Sequence, residues 1–139
     1  MEISLEKQME QMFKKYNDFV TYDLTNIDKK LLELPLIVSH YQNIFYSMQA
    51  KLDEYDAQKA EMWQMKYLYY KNNFDFSLNN TEIKQFIDRD TEIINIIRKM
   101  NVVRLIANRC EETIKSLRDF SWTIKNLLEY EKFRAGIVS

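Results

Sequence analysis

The stretch from Ile93 to Leu128 constrains the rest of the chain more than any other. Its apolar residues fall at Ile93, Ile96, Met100, Val103, Ala107, Cys110, Ile114, Leu117, Ile124 and Leu128, in steps of three and four that only Ser121 interrupts. This is a sustained heptad seam, and at ~1.5 Å per residue it describes a helical rod of roughly 54 Å. A rod of that length exceeds what a chain of 139 residues is expected to cover by itself, so the seam predicts an assembly element. With Ile93 at position a, the β-branched Ile96, Val103 and Ile124 fall at d, where they fit a two-stranded parallel coiled coil poorly and favour higher-order packing. Ile106, Phe120 and Leu127 add an apolar column beside a, so the seam offers itself to two neighbours: a segment of the same chain and a second copy. Arg104, Arg118, Lys125 and Lys132 form a basic flank suited to carboxylates on an adjoining helix.

The remaining composition points the same way. One Gly and one Pro leave almost no positions for tight turns, which predicts an all-α fold, since sandwiches and doubly wound sheets need turn residues at short intervals. The length suggests one domain, or one compact unit with an arm. The single Cys110 lies on the seam and reads as a small buried apolar residue in a reducing compartment. Residues 1–15 mix charge throughout and lack the apolar core of a signal peptide, and no run approaches the ~20 apolar residues of a membrane span, so a cytoplasmic location is expected. From residue 93 onward nine Lys or Arg face five acids, whereas the preceding part carries eleven against sixteen. Opposite signs in the two parts favour packing between them or between copies, and the overall charge of −1 is not that of a protein binding nucleic acid by charge alone.

In chain order, Ser4 is placed to cap a first helix carrying Leu5, Met9, Met12, Phe13 and Tyr16 and ending near Asp18. A Thr-, Asp- and Asn-rich connector follows from Thr21 to Asp28, then a turn or two of helix over Lys29–Leu34. Pro35 suits the first turn of a new helix, expected to run to about Asn72 with Val38, Tyr41, Phe45, Met48, Leu52, Tyr55 and Met62 on one face. Its simplest partner is the long seam, folded back as an antiparallel helical hairpin. Lys71–Asn80 reads as a loop held down by Phe74, Phe76 and Leu78. Asn80 or Thr81 would cap a short helix through Ile87, Asp90 would cap the long one, and Gly136 would stop it. The expected divisions are an arm over 1–34, a first long helix and loop over 35–76, and a short helix plus the long oligomerisation helix over 77–139.

The residue inventory leaves an enzyme little to work with. His40 is the only histidine, the lone cysteine excludes a thiolate zinc site, and one glycine cannot build a phosphate-cradling loop, so neither catalytic residues, metal nor cofactor are expected. His40 reads as a packed or surface residue, and Asp53, Glu54 and Asp56 as a solvated face. The stretch with binding character is Met62-Trp63-Gln64-Met65-Lys66-Tyr67-Leu68-Tyr69-Tyr70-Lys71. Aromatics interleaved with lysines suit a single-stranded nucleic acid, because bases stack on rings while lysines meet phosphates. An aromatic stripe at helical spacing is more often core.

Several patches in order carry a family likeness: Ala57-Gln58-Lys59, Tyr69-Tyr70-Lys71, Ile87-Asp88-Arg89-Asp90-Thr91-Glu92-Ile93-Ile94, Trp122-Thr123-Ile124-Lys125-Asn126, Glu129-Tyr130 and Phe133-Arg134-Ala135-Gly136. From about Pro35 to Gly136 the chain resembles the UvsY family of recombination mediator proteins of tailed phages, while residues 1–34 match only in general character. The resemblance implies a non-enzymatic homo-oligomeric ring that binds single-stranded DNA. It also implies help for a RecA-like recombinase in replacing the single-strand DNA-binding protein. The family's Lys-Ala-Arg-Leu motif falls on Gln64-Met65-Lys66-Tyr67, where only Lys66 keeps a positive charge, and its Arg-Gly before the terminal aromatic falls on Phe120-Ser121. On this reading Lys59, Lys66, Tyr69, Tyr70 and Lys71 meet DNA, and the seam from Ile96 to Leu128 holds the copies together. The competing reading is a coiled-coil scaffold or adaptor that oligomerises through the same seam and touches no nucleic acid.

Overall fold

The computed structural model describes residues 5–20, 27–73 and 77–136. Ser4, Phe74 and Phe76, to which the sequence assigned a cap and a loop anchor, lie outside the described residues, as does most of the connector after Val20. Five helices follow in order: α1 (Leu5–Met12), α2 (Lys14–Phe19), α3 (Ile27–Asn72), α4 (Asn80–Asp88) and α5 (Thr91–Arg134). Among the described residues there is no strand.

Contacts group the chain into two compact units, Met1–Phe45 with Asn108–Ser139, and Tyr46–Ala107. Both long helices contribute to both units. In the first, Phe13 of the amino-terminal segment meets Tyr41 and Arg109, while Phe19 meets Lys30 and Phe120. In the second, Tyr70 meets Asp90 and Lys66 meets Glu92. In each, α3 positions rise as α5 positions fall, so the two long helices form the antiparallel hairpin.

In the first unit, the expected single helix from Leu5 is divided by a side chain. In an unbroken helix the Tyr16 N–H would bond the Met12 carbonyl four residues back. Here it donates to the Tyr41 hydroxyl at 2.9 Å, and that hydroxyl donates to the Met12 carbonyl at 3.4 Å. Insertion of a side chain into the ladder separates α1 from α2 at Phe13. Phe13 stacks on Tyr41 with ring centroids 5.4 Å apart, both fully buried, and the Arg109 guanidinium lies over the Phe13 ring, 4.7 Å from its centroid.

The helix expected from Pro35 begins instead at Ile27, with Pro35 inside it. An interior proline removes the bond to the carbonyl four residues back, here that of Leu31, and costs about 3 kcal/mol. Tertiary contacts hold the turns before it: Lys30 Nζ donates to the Phe19 carbonyl at 2.9 Å and lies 4.9 Å from the Phe19 ring centroid.

The seam behaves differently from its expectation as well. Ile93, Ile96, Met100, Val103, Ala107, Cys110, Leu117 and Ile124 are all buried within the single chain, and Ile114 and Leu128 are half-buried. Within each unit the seam is therefore covered by its own chain, with Phe13 and Phe19 of the amino-terminal helices adding contacts to α5 in the first. Each fully buried aliphatic contributes about 1.5–3 kcal/mol relative to exposure. At its far end α5 closes at Arg134, and Gly136 takes the left-handed φ of 75° that ends a helix without strain on a Cβ.

Candidate nucleic-acid interface

The second unit contains all five residues singled out for DNA. Its core is Ile83 and Ile87 of α4 with Ile93 of α5, against which Met62, Trp63, Tyr67, Tyr70, Leu78 and Ile97 pack. Leu78 thus anchors the loop as expected. The α4 cap is set by Asn79, one residue earlier than Asn80 or Thr81: Asn79 Oδ1 accepts the Glu82 N–H at 2.8 Å, and Glu82 Oε1 accepts the Asn79 N–H at 3.3 Å. This reciprocal pair satisfies two otherwise orphaned donors and fixes where α4 starts.

Much of the aromatic run is structural. Trp63 stacks on Tyr67 at 5.6 Å, the Tyr67 hydroxyl donates to Asn80 Oδ1 at 2.9 Å, and Tyr70 stacks on Phe86 at 5.4 Å. Tyr69 meets the edge of Tyr70 at 5.3 Å yet keeps 56% of its surface exposed, so it is the tyrosine of the pair with a face for a base. Lys71 is exposed, its ammonium 5.9 Å from the Tyr67 ring centroid. Lys59 is half-buried two turns before Lys66, and a spacing of seven returns to nearly the same side of the helix.

Lys66 is the member whose surroundings the sequence did not reveal. Its ammonium lies 3.3 Å from Asp90 Oδ2 and 3.3 Å from Glu92 Oε1. Asp90 is a hub. Its Oδ1 accepts the Glu92 N–H at 3.0 Å, capping α5 as expected, while its Oδ2 accepts the Tyr70 hydroxyl at 3.0 Å and faces Lys66. Desolvation alone would raise the Asp90 pKa, but the hydrogen bonds from Tyr70, the Glu92 amide and Lys66 outweigh it and hold the carboxyl below its ordinary 3.8. For Lys66, desolvation pulls the ammonium down and the bonds and charges of Glu92 and Asp90 together push it above the usual lysine value. Desolvation, then the bond to Asp90, raises the Tyr70 phenol. At neutral pH Lys66 is therefore charged and Asp90 ionised, and the two form the centre of the knot. A pocket of about 430 Å³ opens beside it, lined by Gln58, Glu61, Met62, Met65, Lys66 and Glu92. Sequence reasoning named Asp90 only as a cap and missed Glu92. The signal available was an acid at the second helical position after an Asp cap, facing the end of a hairpin partner rich in lysine.

Elsewhere the chemistry is sparse. Among the described residues no group of three or more His, Cys, Asp or Glu could hold a metal ion. Cys110 is fully buried, and burial raises its thiol, which keeps it protonated and unreactive. His40 packs edge-on against Tyr41, and desolvation followed by the Lys15 charge lowers its pKa. Among the described residues no helix is long and apolar enough to cross a membrane.

The family profile described as "Recombination, repair and ssDNA binding protein UvsY" matches residues 15–137. No curated protein sequence matches the chain. Solved structures of similar fold include crystal structures of the bacteriophage T4 recombination mediator protein UvsY. In lattice type IV the TM-score is 0.79 at 16% identity, covering 95% of this chain and 99% of that one. Lattice type II gives 0.79 at 18%, covering 96% and 99%, and lattice type I gives 0.76 at 16%, covering 90% and 99%.

Proposed function

The chain belongs to the UvsY family, and from that premise we propose that it is a recombination mediator that binds single-stranded DNA without catalysing a reaction. In this role it helps a RecA-like recombinase take the strand in place of the single-strand DNA-binding protein, in the cytoplasm of the host cell. The observation that carries the reading is the family match across residues 15–137, which include residues of both units. Lys59, Lys66, Tyr69, Tyr70 and Lys71 form the strand site, with Tyr69 and Lys71 as its outward members and Tyr70 holding Lys66 in place through Asp90.

Several copies acting together make a modest site effective, because each contact repeated along one strand raises avidity without any new interaction. Copies assemble through α5. The seam residues Ile96, Met100, Val103, Ala107, Cys110, Leu117 and Ile124 stiffen that helix from within. The half-buried Ile114 and Leu128 then join Trp122, Tyr130 and Phe133, which are 68%, 60% and 71% exposed, in meeting a second copy.

Native mass spectrometry with and without an oligonucleotide, paired with a salt titration of strand binding, tests both parts. The expected result is a multimer that takes up single-stranded DNA with an affinity that falls as salt rises. A lone chain at micromolar concentration that ignores oligonucleotides at low salt would leave the adaptor reading, without its oligomer, as the better description.

A further inference from the structure

Lys66 is bound by two carboxylates of unequal standing. The Asp90 side chain is 11% exposed and is committed three ways, to Tyr70, to the α5 cap and to Lys66. The Glu92 side chain is 64% exposed, and among the described residues its carboxylate is paired with Lys66. Losing Asp90 from the knot would undo a cap and a buried-edge hydrogen bond, whereas Glu92 can leave by rotating its own side chain into water. The pocket beside Lys66, lined in part by Glu92 itself, gives an incoming group room to approach the ammonium.

We infer that Glu92 occupies the place of a phosphodiester oxygen at Lys66, and that strand binding proceeds by exchange, the Glu92 carboxylate swinging out as a backbone phosphate comes in. The inference rests on the strand-binding reading above and adds a residue to it. Both anions present an oxygen to the same ammonium, so Lys66 stays paired before, during and after the exchange, and Asp90 continues to hold it in position. An ion pair exposed on one side favours the closed arrangement only weakly, by roughly 1.5- to 5-fold, which a charged strand can overcome. Glu92 therefore limits affinity: it competes with the strand at each site and speeds release, a property suited to a protein that must hand its strand on.

Fluorescence anisotropy with a labelled oligo(dT) compares the wild type with Glu92→Gln, with Lys66→Gln and with the double variant. The charge-matched control is Glu112→Gln, an exposed position in the other unit. Exchange predicts that Glu92→Gln tightens binding about 2- to 5-fold. It also predicts that Glu112→Gln gains less, and that the Glu92→Gln gain disappears in the Lys66→Gln background. Wild-type binding with no gain in Glu92→Gln, or a gain that survives Lys66→Gln, overturns the exchange and leaves strand binding standing. A wild type that binds no strand at any salt concentration overturns both.

Discussion

The two units bring the same pair of long helices together by different physics. In the first, closure is aromatic: Phe13 meets both the Tyr41 ring and the Arg109 guanidinium, and the Tyr41 hydroxyl is spliced into the amino-terminal helix between Met12 and Tyr16. In the second, an isoleucine core is joined by a polar knot in which Asp90 ties Tyr70 and Lys66 of α3 to the start of α5. The difference teaches where each unit is vulnerable. Packing of buried rings is little affected by salt and answers to protons only through His40 at its edge, whereas a carboxylate hub depends on its own charge.

Removing the aromatic closure is the largest intervention. Tyr41→Ala should cost about 3–5 kcal/mol, as truncations of buried aromatics do, and hydrogen-exchange mass spectrometry should show the loss first in peptides of the first unit. If protection falls equally everywhere, the two units unfold as one. Next, Ile87→Ala should cost about 2–5 kcal/mol through the cavity it leaves, with the first loss of protection in Tyr46–Ala107. Asp90→Ala should cost about 1–2 kcal/mol from the cap alone, seen as a lower urea midpoint. Asp90 also gives the second unit a pH dependence whose sign is fixed. Its folded pKa lies below its ordinary value, so its contribution is fully present above 3.8 and is lost as pH falls through the folded pKa. His40, whose folded pKa lies below its ordinary 6.5, gives the first unit its own loss as pH falls below 6.5. Acid should therefore loosen the first unit at higher pH, and the Asp90 contribution should go only below 3.8, a second step that Asp90→Asn should abolish. The smallest effect belongs to the Lys29–Glu33 pair of the first unit, with side chains 76% and 42% exposed: Lys29→Ala should shift stability by less than about 0.5 kcal/mol. A larger shift would mean that the first unit also relies on charge.

The sequence showed what depends on local period and local chemistry. The α5 rod, its Asp90 cap, the Gly136 stop and the hairpin all follow from heptad spacing, capping residues and the scarcity of turn formers. The Asn79 cap was within reach, since Glu82 three residues on is the partner a capping box requires. What stayed hidden depends on contacts between distant positions. Pro35 marks a helix start by local rules, and only the grip of Lys30 on Phe19 explains why the helix already exists before it. The division at Phe13 needs Tyr41, 25 residues beyond the amide it accepts from. The seam looked too long for one chain because the extent of α3 was underestimated at its amino end. At the candidate site, the family motif drew attention to Lys66. Its pairing with Asp90 and Glu92 depends on hairpin register, which spacing alone does not give.

Asp90 has one more consequence. Since Tyr70 and Lys66 sit one helical turn apart and converge on the same carboxylate, sliding α3 along α5 by a single residue would rotate both away together. An apolar stripe tolerates slippage by a whole heptad, because one apolar residue then takes the place of the next. The knot does not, and so it works as a vernier mark that fixes which rung of one helix stands opposite which rung of the other.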